Sequence, residues 1–161
     1  MRKMSRFHGD PDRFGAVAAL VASAFGRSVR YVADVAGGQG QLARELRKRH
    51  GYEVEVVDPR PHRLRGVAGA AEQFTADRAA YYDLVVGLHP DEATREVVES
   101  AIVRPIVIVP CCNFWDRGRR LGRDALLNAI EGWLGERGVA HRREPLAFCG
   151  PMNIAIVTAP R

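Results

Sequence analysis

The chain has 161 residues, of which 47% are hydrophobic and 27% are charged, and its formal net charge is +5. These fractions are typical of one soluble globular domain and exclude a disordered or fibrous chain. No apolar run approaches the roughly 20 residues that cross a bilayer, and no signal-peptide core follows the basic start Met1–Arg6. We therefore expect a cytoplasmic single domain over 1–161, with no membrane partner, and the sequence indicates no oligomeric state.

Helical and strand patterns alternate along the chain. The predicted helices cover 11–26, 41–50, 92–101 and 124–137, and the predicted strands cover 29–35, 53–57, 73–75, 82–88, 106–109, 139–147 and 153–158. Pro59 and Pro61 exclude a helix directly after the second strand, so the helix expected before the third strand is short or absent. The alternation predicts an α/β fold with a mostly parallel sheet between two helical layers. An N-terminal helical segment over 1–28 precedes the core over 29–161.

A glycine-rich turn links the first strand to the helix that follows it. Asp34 lies near the end of the strand, and Gly37, Gly38 and Gly40 follow within six positions. Glycines let the backbone approach a ligand with no Cβ between them, and the new helix directs free N–H groups to the same place. The next strand ends in Asp58. Strand, glycine turn, helix, strand and acid form a layout that binds an adenosine-containing cofactor, with the acid on the ribose hydroxyls.

The motif Asp34-x-x-Gly37-Gly38-x-Gly40-x-Leu42 resembles the first motif of class I S-adenosylmethionine-dependent methyltransferases. Asp58 stands where their ribose-binding acid stands, and 82–87 looks like their fourth strand. The resemblance implies a three-layer, doubly wound Rossmann-like methyltransferase sheet that is mostly parallel with an antiparallel last strand. It also implies S-adenosyl-L-methionine as the cofactor, bound by Asp34, Gly37, Gly38, Gly40, Asp58 and Leu88.

Two other interpretations stay open. A non-catalytic protein of the same fold would bind a cofactor or RNA, or serve as a scaffold subunit. A third interpretation is an NAD-binding Rossmann protein, because Gly38, Gly40 and Ala43 meet the dinucleotide fingerprint and Asp58 lies near the expected offset of about 20 residues. A dehydrogenase domain more often continues with another parallel unit than with an antiparallel strand pair, which favours the methyltransferase interpretation.

The loop after the fourth strand carries the first candidate for chemistry. Gly87-Leu88-His89-Pro90 resembles a methyltransferase sub-group whose motif begins Gly-Leu-His, some of whose members are linked to RNA. The Asn/Asp-Pro-Pro-aromatic tetrad of amino-group methylating members is missing from this chain. His89 has a side chain suited to general base catalysis near neutral pH. Alternatively, His89 and Asp91 only cap the next helix.

The loop after the fifth strand reads Cys111-Cys112-Asn113-Phe114-Trp115, and in the same sub-group a Cys-Cys pair also follows this strand. Phe114 and Trp115 are candidates to stack on a base, with Asn113 hydrogen-bonded to its edge. Either cysteine is a candidate nucleophile towards a pyrimidine ring, or both are small packing residues.

We therefore predict an S-adenosylmethionine-dependent methyltransferase that acts on an RNA base or a small molecule. The candidate catalytic residues are His89, Asn113, Cys111 and Cys112, and the candidate substrate residues are Phe114, Trp115 and Asn153. The basic loop at 117–123 permits a polyanionic partner, although such loops are commonly solvated faces. No metal site is predicted, because His89 and the two cysteines lack a second Cys-x-x-Cys or His pair.

Overall fold

The computed structural model describes residues 9–159, so the basic start of the predicted N-terminal segment lies outside the described residues. These residues form one seven-stranded sheet. Its strands are β1 (Tyr31–Val35), β2 (Glu53–Val57), β3 (Ala68–Ala70), β4 (Leu84–Leu88), β5 (Ile106–Val109), β6 (His141–Pro145) and β7 (Ile154–Thr158). The α-helices are α1 (Asp12–Phe25), α2 (Gln41–His50), α3 (Thr94–Glu99) and α4 (Arg123–Glu136). Short 3-10 turns follow α1, precede β4 and stand on both sides of α3.

The strand order is β3-β2-β1-β4-β5-β7-β6. Strands β1 to β5 pair in parallel, whereas β7 runs antiparallel to both β5 and β6. This topology confirms the predicted mostly parallel, doubly wound sheet with an antiparallel last strand. Because the strands are parallel, the carboxyl ends of β1, β2, β4 and β5 meet at one edge of the sheet, where α/β folds bind ligands.

A separate hydrophobic core fills each face of the sheet, which confirms the three-layer arrangement. On one face α1 and α2 pack on alternate strand residues through Val17, Val21 and Leu46. On the other face α3 and α4 pack on the remaining strand residues through side chains that include Val98 and Ile130. The strands alternate between the two cores because successive side chains point to opposite faces of a sheet.

Local signals place the ends of the first two helices. The Oδ1 of Asp10 accepts the N–H of Asp12, the first residue of α1, at 2.9 Å. The Oδ2 of Asp10 accepts the Cys149 N–H at 2.7 Å, which ties α1 to the connection between β6 and β7. Helix α2 ends at Gly51, whose φ of 76° suits a glycine cap. No helix within residues 9–159 has both the length and the apolar character needed to cross a membrane.

The prediction of a third strand at 73–75 is wrong. Residues Ala68–Ala70 pair with β2 instead, and Phe74 packs into the core against α3 and α4. The guanidinium of Arg63 donates to the Asp58 and Ala70 carbonyls at 2.8 and 3.2 Å, which joins β3 to the end of β2. Small residues carry little strand propensity, so this pairing depends on edge hydrogen bonds that the local sequence does not reveal. The predicted loss of the helix between β2 and β3 is confirmed.

Candidate functional site

A cavity of about 520 Å³ opens at the carboxyl edge of the sheet. Such a volume is typical of small-molecule and cofactor sites. Residues from the turn after β1, the loop after β2 and the loops after β4 and β5 line it together with the start of α1. Its lining residues include Arg13, Phe14, Asp34, Gly37, Gly38, Arg60, Leu88, His89, Asp91 and Cys111.

Unusual backbone geometry concentrates at this cavity. Among residues 9–159, the non-glycine residues with a positive φ are Ala36, His89 and Asp91, at 54°, 50° and 47°. All three line the cavity. A positive φ costs free energy in residues with a Cβ, and such strain is found most often at functional sites. The fold therefore holds two loops in unfavourable conformations at this one place.

The Asp34 carboxylate lies at the bottom of the cavity and is 1% exposed. Its Oδ2 accepts the Ala43 N–H at 3.2 Å, and its Oδ1 has no hydrogen-bond partner in the described part of the chain. A Cβ on Gly37 would lie 2.4 Å from Oδ2 and 2.7 Å from Oδ1, so only glycine leaves room for this carboxylate. A buried acceptor without a partner is costly, and a bound cationic or hydrogen-bonding group would remove that cost.

Burial raises the pKa of Asp34 from 3.8 to about 7. Between those pH values the folded chain holds a proton that the unfolded chain does not. The stability contributed by this group is therefore complete below about pH 4 and is lost as the pH rises through 7. We expect the free energy of unfolding to fall by about 3 kcal/mol more in the wild type than in Asp34→Asn between pH 4.5 and pH 7.5. Chemical denaturation at pH 4.5, 6 and 7.5 measures the difference, and parallel curves for the two proteins would contradict it.

The Asp58 carboxylate is fully buried and closely paired with Arg60. Its oxygens accept the Arg60 Nε and Nη2 at 2.9 and 2.6 Å, the Arg60 N–H at 2.9 Å and the Gly38 N–H at 2.8 Å. Burial alone would raise the pKa of Asp58, but these hydrogen bonds outweigh it and hold that pKa below its usual value. The Arg60 side chain is 68% exposed and lines the cavity, whereas Asp58 does not line it. Arg60 therefore lies between the Asp58 carboxylate and the cavity.

His89 is half-buried beside Phe148, and its Nε2 lies 3.0 Å from the Met152 carbonyl oxygen. A carbonyl only accepts, so Nε2 carries the hydrogen and Nδ1 carries the lone pair. No group among residues 9–159 forms a hydrogen bond with Nδ1. Burial lowers the pKa of His89, so the imidazole is neutral at pH 7 and can accept a proton at Nδ1.

Cys111 lies on the cavity wall and its thiol donates to Oδ1 of Asp91 at 3.0 Å. Burial and the neighbouring Asp91 carboxylate raise the pKa of the Cys111 thiol well above its usual value. A protonated thiol is a poor nucleophile, so this environment does not favour covalent attack by Cys111. Cys112 is exposed beside it and does not line the cavity.

The other residues predicted to contact substrate lie outside the cavity. The Asn113 amide donates to the Asp116 and Arg119 carbonyls at 2.6 Å, which closes its own loop. Trp115 is buried in the core, edge-on to Trp133 at 5.8 Å, so it presents no free face to a base.

The remaining two candidates are also engaged within the protein. Phe114 is half-buried, and the Arg117 guanidinium carbon lies over its ring, 4.9 Å from the centre of the Phe114 ring. The Asn153 side chain lies 3.4 and 3.3 Å from the Leu146 and Phe148 carbonyls, so it holds the connection between β6 and β7.

Several residues of the cavity wall have no predicted site role from the sequence. Arg13 and Phe14 at the start of α1 close one side, and Arg60 covers Asp58. The sequence indicates only a helix-capping role for Asp91, yet its carboxylate contacts the cysteines that follow the next strand. The one available signal is Arg13, which lies with Asp12 in the first turn of a helix that is mostly apolar beyond that turn. Arg13 is 8% exposed in the fold.

A larger depression of about 790 Å³ lies around the amino ends of β1 and β2, where Tyr31, Glu53 and Tyr81 line it. It is open to solvent and contains neither the glycine turn nor a residue with a positive φ. The geometry therefore favours the smaller cavity at the carboxyl edge as the functional site.

No protein-family model and no curated protein matches the chain. Solved structures do match its fold. The sugar N-methyltransferase KedS8 from Streptoalloteichus sp. ATCC 53650 has a TM-score of 0.60 at 13% identity, over 100% of this chain and 97% of that one. DesVI of Streptomyces venezuelae has a TM-score of 0.60 at 14% identity, over 93% of this chain and 92% of that one.

The plantazolicin methyltransferase BpumL, solved in complex with SAH, has a TM-score of 0.61 at 10% identity, over 94% of this chain and 86% of that one. At these identities the likeness concerns the fold alone. The chain therefore has the Rossmann-like fold of these structures, which include the methyltransferases KedS8 and BpumL.

Proposed function

We propose that the chain is an S-adenosylmethionine-dependent methyltransferase. The observation that carries the proposal is the unpartnered Oδ1 of Asp34, buried at the bottom of the cavity beside a glycine that cannot carry a Cβ. S-adenosylmethionine carries a cationic sulfonium and amino group, and it supplies an activated methyl group when bound. The residues present fit such a cofactor, because a bound cation would stabilise the charged form of the buried Asp34 carboxyl group, and the glycine at position 37 leaves room for that carboxyl group.

The other residues that would contact the cofactor lie at the same edge of the sheet. Asp58 would hold the ribose hydroxyls, which requires the Arg60 guanidinium to leave its present position. Gly38 and Leu88 would form the surrounding walls, with Arg13 and Phe14 excluding water from the α1 side. Gly40 does not line the cavity, because its Cβ position faces Val56 and Val67. Transfer is then mostly a matter of positioning the acceptor in line with the methyl group, since the cofactor is already reactive.

His89 would accept the acceptor's proton at Nδ1. Its neutral state and its place on the cavity wall support this role. The acceptor that we favour is a small molecule, because Trp115 is buried and the Asn113 amide closes its own loop. The names of KedS8 and BpumL, which act on a sugar and on plantazolicin, are consistent with that class.

Calorimetric titration with S-adenosylmethionine, S-adenosylhomocysteine and NAD tests the cofactor. We expect the first two to bind with dissociation constants in roughly the micromolar range and NAD to give no heat. Asp58→Ala should weaken S-adenosylmethionine binding about 100-fold, because it removes charge-assisted hydrogen bonds to the ribose. Arg60→Ala should strengthen it about fivefold, because the bound state no longer has to break an ion pair worth about 1 kcal/mol.

Arg30→Ala is the matched control for Arg60→Ala. Arg30 forms an ion pair with Glu53 at 2.6 Å and is also 68% exposed, but it lies at the amino end of the sheet. Its loss should leave cofactor affinity unchanged. Weaker binding by Arg60→Ala would show that Arg60 contacts the cofactor instead of competing with it. Heat from NAD alone would favour the dinucleotide interpretation, and binding without turnover would favour the non-catalytic one.

A further inference from the structure

Three side chains of types that bind metal ions meet at the wall of the cavity. Asp91, Cys111 and Cys112 each offer one ligand atom, and these atoms all lie within 4.8 Å of one another. The Sγ of Cys111 is 3.0 Å from Oδ1 of Asp91. Asp91 follows β4 and the cysteines follow β5, so the parallel pairing of these strands brings the three residues together.

The spacing matches a tetrahedral ion after small side-chain rotations. With metal–sulfur bonds of about 2.3 Å and metal–oxygen bonds of about 2.1 Å, neighbouring ligand atoms in a tetrahedron stand roughly 3.5 to 3.8 Å apart. The distance from Cys111 Sγ to Asp91 Oδ1, 3.0 Å, is shorter than this range. The upper limit of 4.8 Å for all pairs of ligand atoms is longer than this range. Cys112 is exposed and Cys111 is partly exposed, so an ion can reach the cluster from solvent.

The ligand types narrow the class of cation. Two thiolates and one carboxylate suit zinc, whereas Mg²⁺ and Ca²⁺ prefer six or more oxygen ligands. In the metal-free chain the Cys111 thiol donates its hydrogen to Asp91, and a cation between the two atoms would replace that hydrogen. His89 is not part of the set, because its ring nitrogens do not lie within 4.8 Å of all three ligand atoms.

We propose that Asp91, Cys111 and Cys112 bind one zinc ion. Three protein ligands leave a fourth position, which is the arrangement of zinc sites that hold water or a substrate atom. Asp91 and Cys111 line the cavity, so the fourth position is accessible from it. The site does not depend on methyl transfer, because none of its ligands belongs to the cofactor residues named above.

Cobalt titration tests the site directly. The reduced, metal-free protein is titrated anaerobically with Co²⁺ alone, and thiolate-to-cobalt absorption is followed in the near ultraviolet. We expect one Co²⁺ per chain, intense visible bands typical of a tetrahedral site, and displacement by one equivalent of Zn²⁺. Cys111→Ser and Cys112→Ser should each halve the thiolate absorption per bound cobalt, and Asp91→Asn should weaken binding roughly tenfold, since each removes or neutralises one of three ligands.

Cys149→Ser is the matched control, because Cys149 is a third free cysteine that lies outside the cluster. It should leave the spectrum unchanged. No thiolate absorption, or absorption that Cys149→Ser removes, would overturn the proposal, and an unchanged affinity in Asp91→Asn would overturn the three-ligand site. Calorimetry with S-adenosylmethionine on the same samples keeps the two proposals separate, since a chain that fails to bind the cofactor can still give the cobalt spectrum.

Discussion

We expect His89→Asn to lower kcat by roughly 10²- to 10⁴-fold, the usual contribution of a positioned general base. Asparagine tolerates the positive φ of 50° better than most residues, so this change removes the imidazole with little added backbone strain. Loss of the hydrogen bond to the Met152 carbonyl should cost about 1 kcal/mol of stability. Affinity for S-adenosylmethionine should stay within about a factor of two, because the imidazole acts on the acceptor.

The measurement is methyl transfer to an acceptor identified by a screen of small metabolites and RNA fragments. His62→Asn is the control, because His62 also lines the cavity but is exposed. It should keep kcat. In the wild type, the rate should fall on the acid side at a pH below 6.5, since burial lowers the pKa of His89 from that value. A His89→Asn protein with nearly normal kcat would show that His89 only shapes the loop.

Gly37→Ala should abolish measurable cofactor binding, a loss of at least about 100-fold. The new methyl group would lie 2.4 Å from Oδ2 of Asp34, which cannot move without breaking its bond to the Ala43 N–H. Such overpacking costs about 2 kcal/mol of stability. Denaturation and calorimetry on the purified variant measure both effects.

Gly132→Ala is the matched control for this substitution. Gly132 lies in the middle of α4 with nothing within 4 Å of its Cβ position, so alanine there should raise stability by about 0.5 to 1 kcal/mol and leave binding unchanged. The double variant Gly37→Ala with Asp34→Ala removes the clash. It should recover stability without recovering affinity, and recovered affinity would show that the Asp34 carboxylate does not contact the cofactor.

Helix α2 and strands β2 and β5 begin and end at the predicted residues. Their signals are local: Gly51 stops α2, and the short apolar runs are bounded by turn residues. The glycine turn and the two acids could also be placed from the chain, since their spacing is fixed by one strand, one turn and one helix. The alternation of helices and strands also predicted a mostly parallel sheet. The strand order β3-β2-β1-β4-β5-β7-β6 was not predicted from the chain.

The contacts between separate strand ends could not be predicted in this way. Asp91 and Cys111 are 20 residues apart, and their meeting depends on the register of β4 against β5. The Arg60 guanidinium over Asp58 depends on the conformation of an irregular loop.

For Trp115 and Asn113, too, the role expected from the sequence differs from the role that packing gives them in the fold. Both look like surface groups in an aromatic loop, but one fills space beside Trp133 and the other satisfies backbone carbonyls of its own loop. The residue pattern along the chain therefore predicts most of the helices and strands, with β3 as the exception, and it predicts which edge of the sheet holds the candidate site. The three-dimensional packing establishes which side chains face that site, because each such contact joins segments whose distance in space is set by the whole sheet and its two cores.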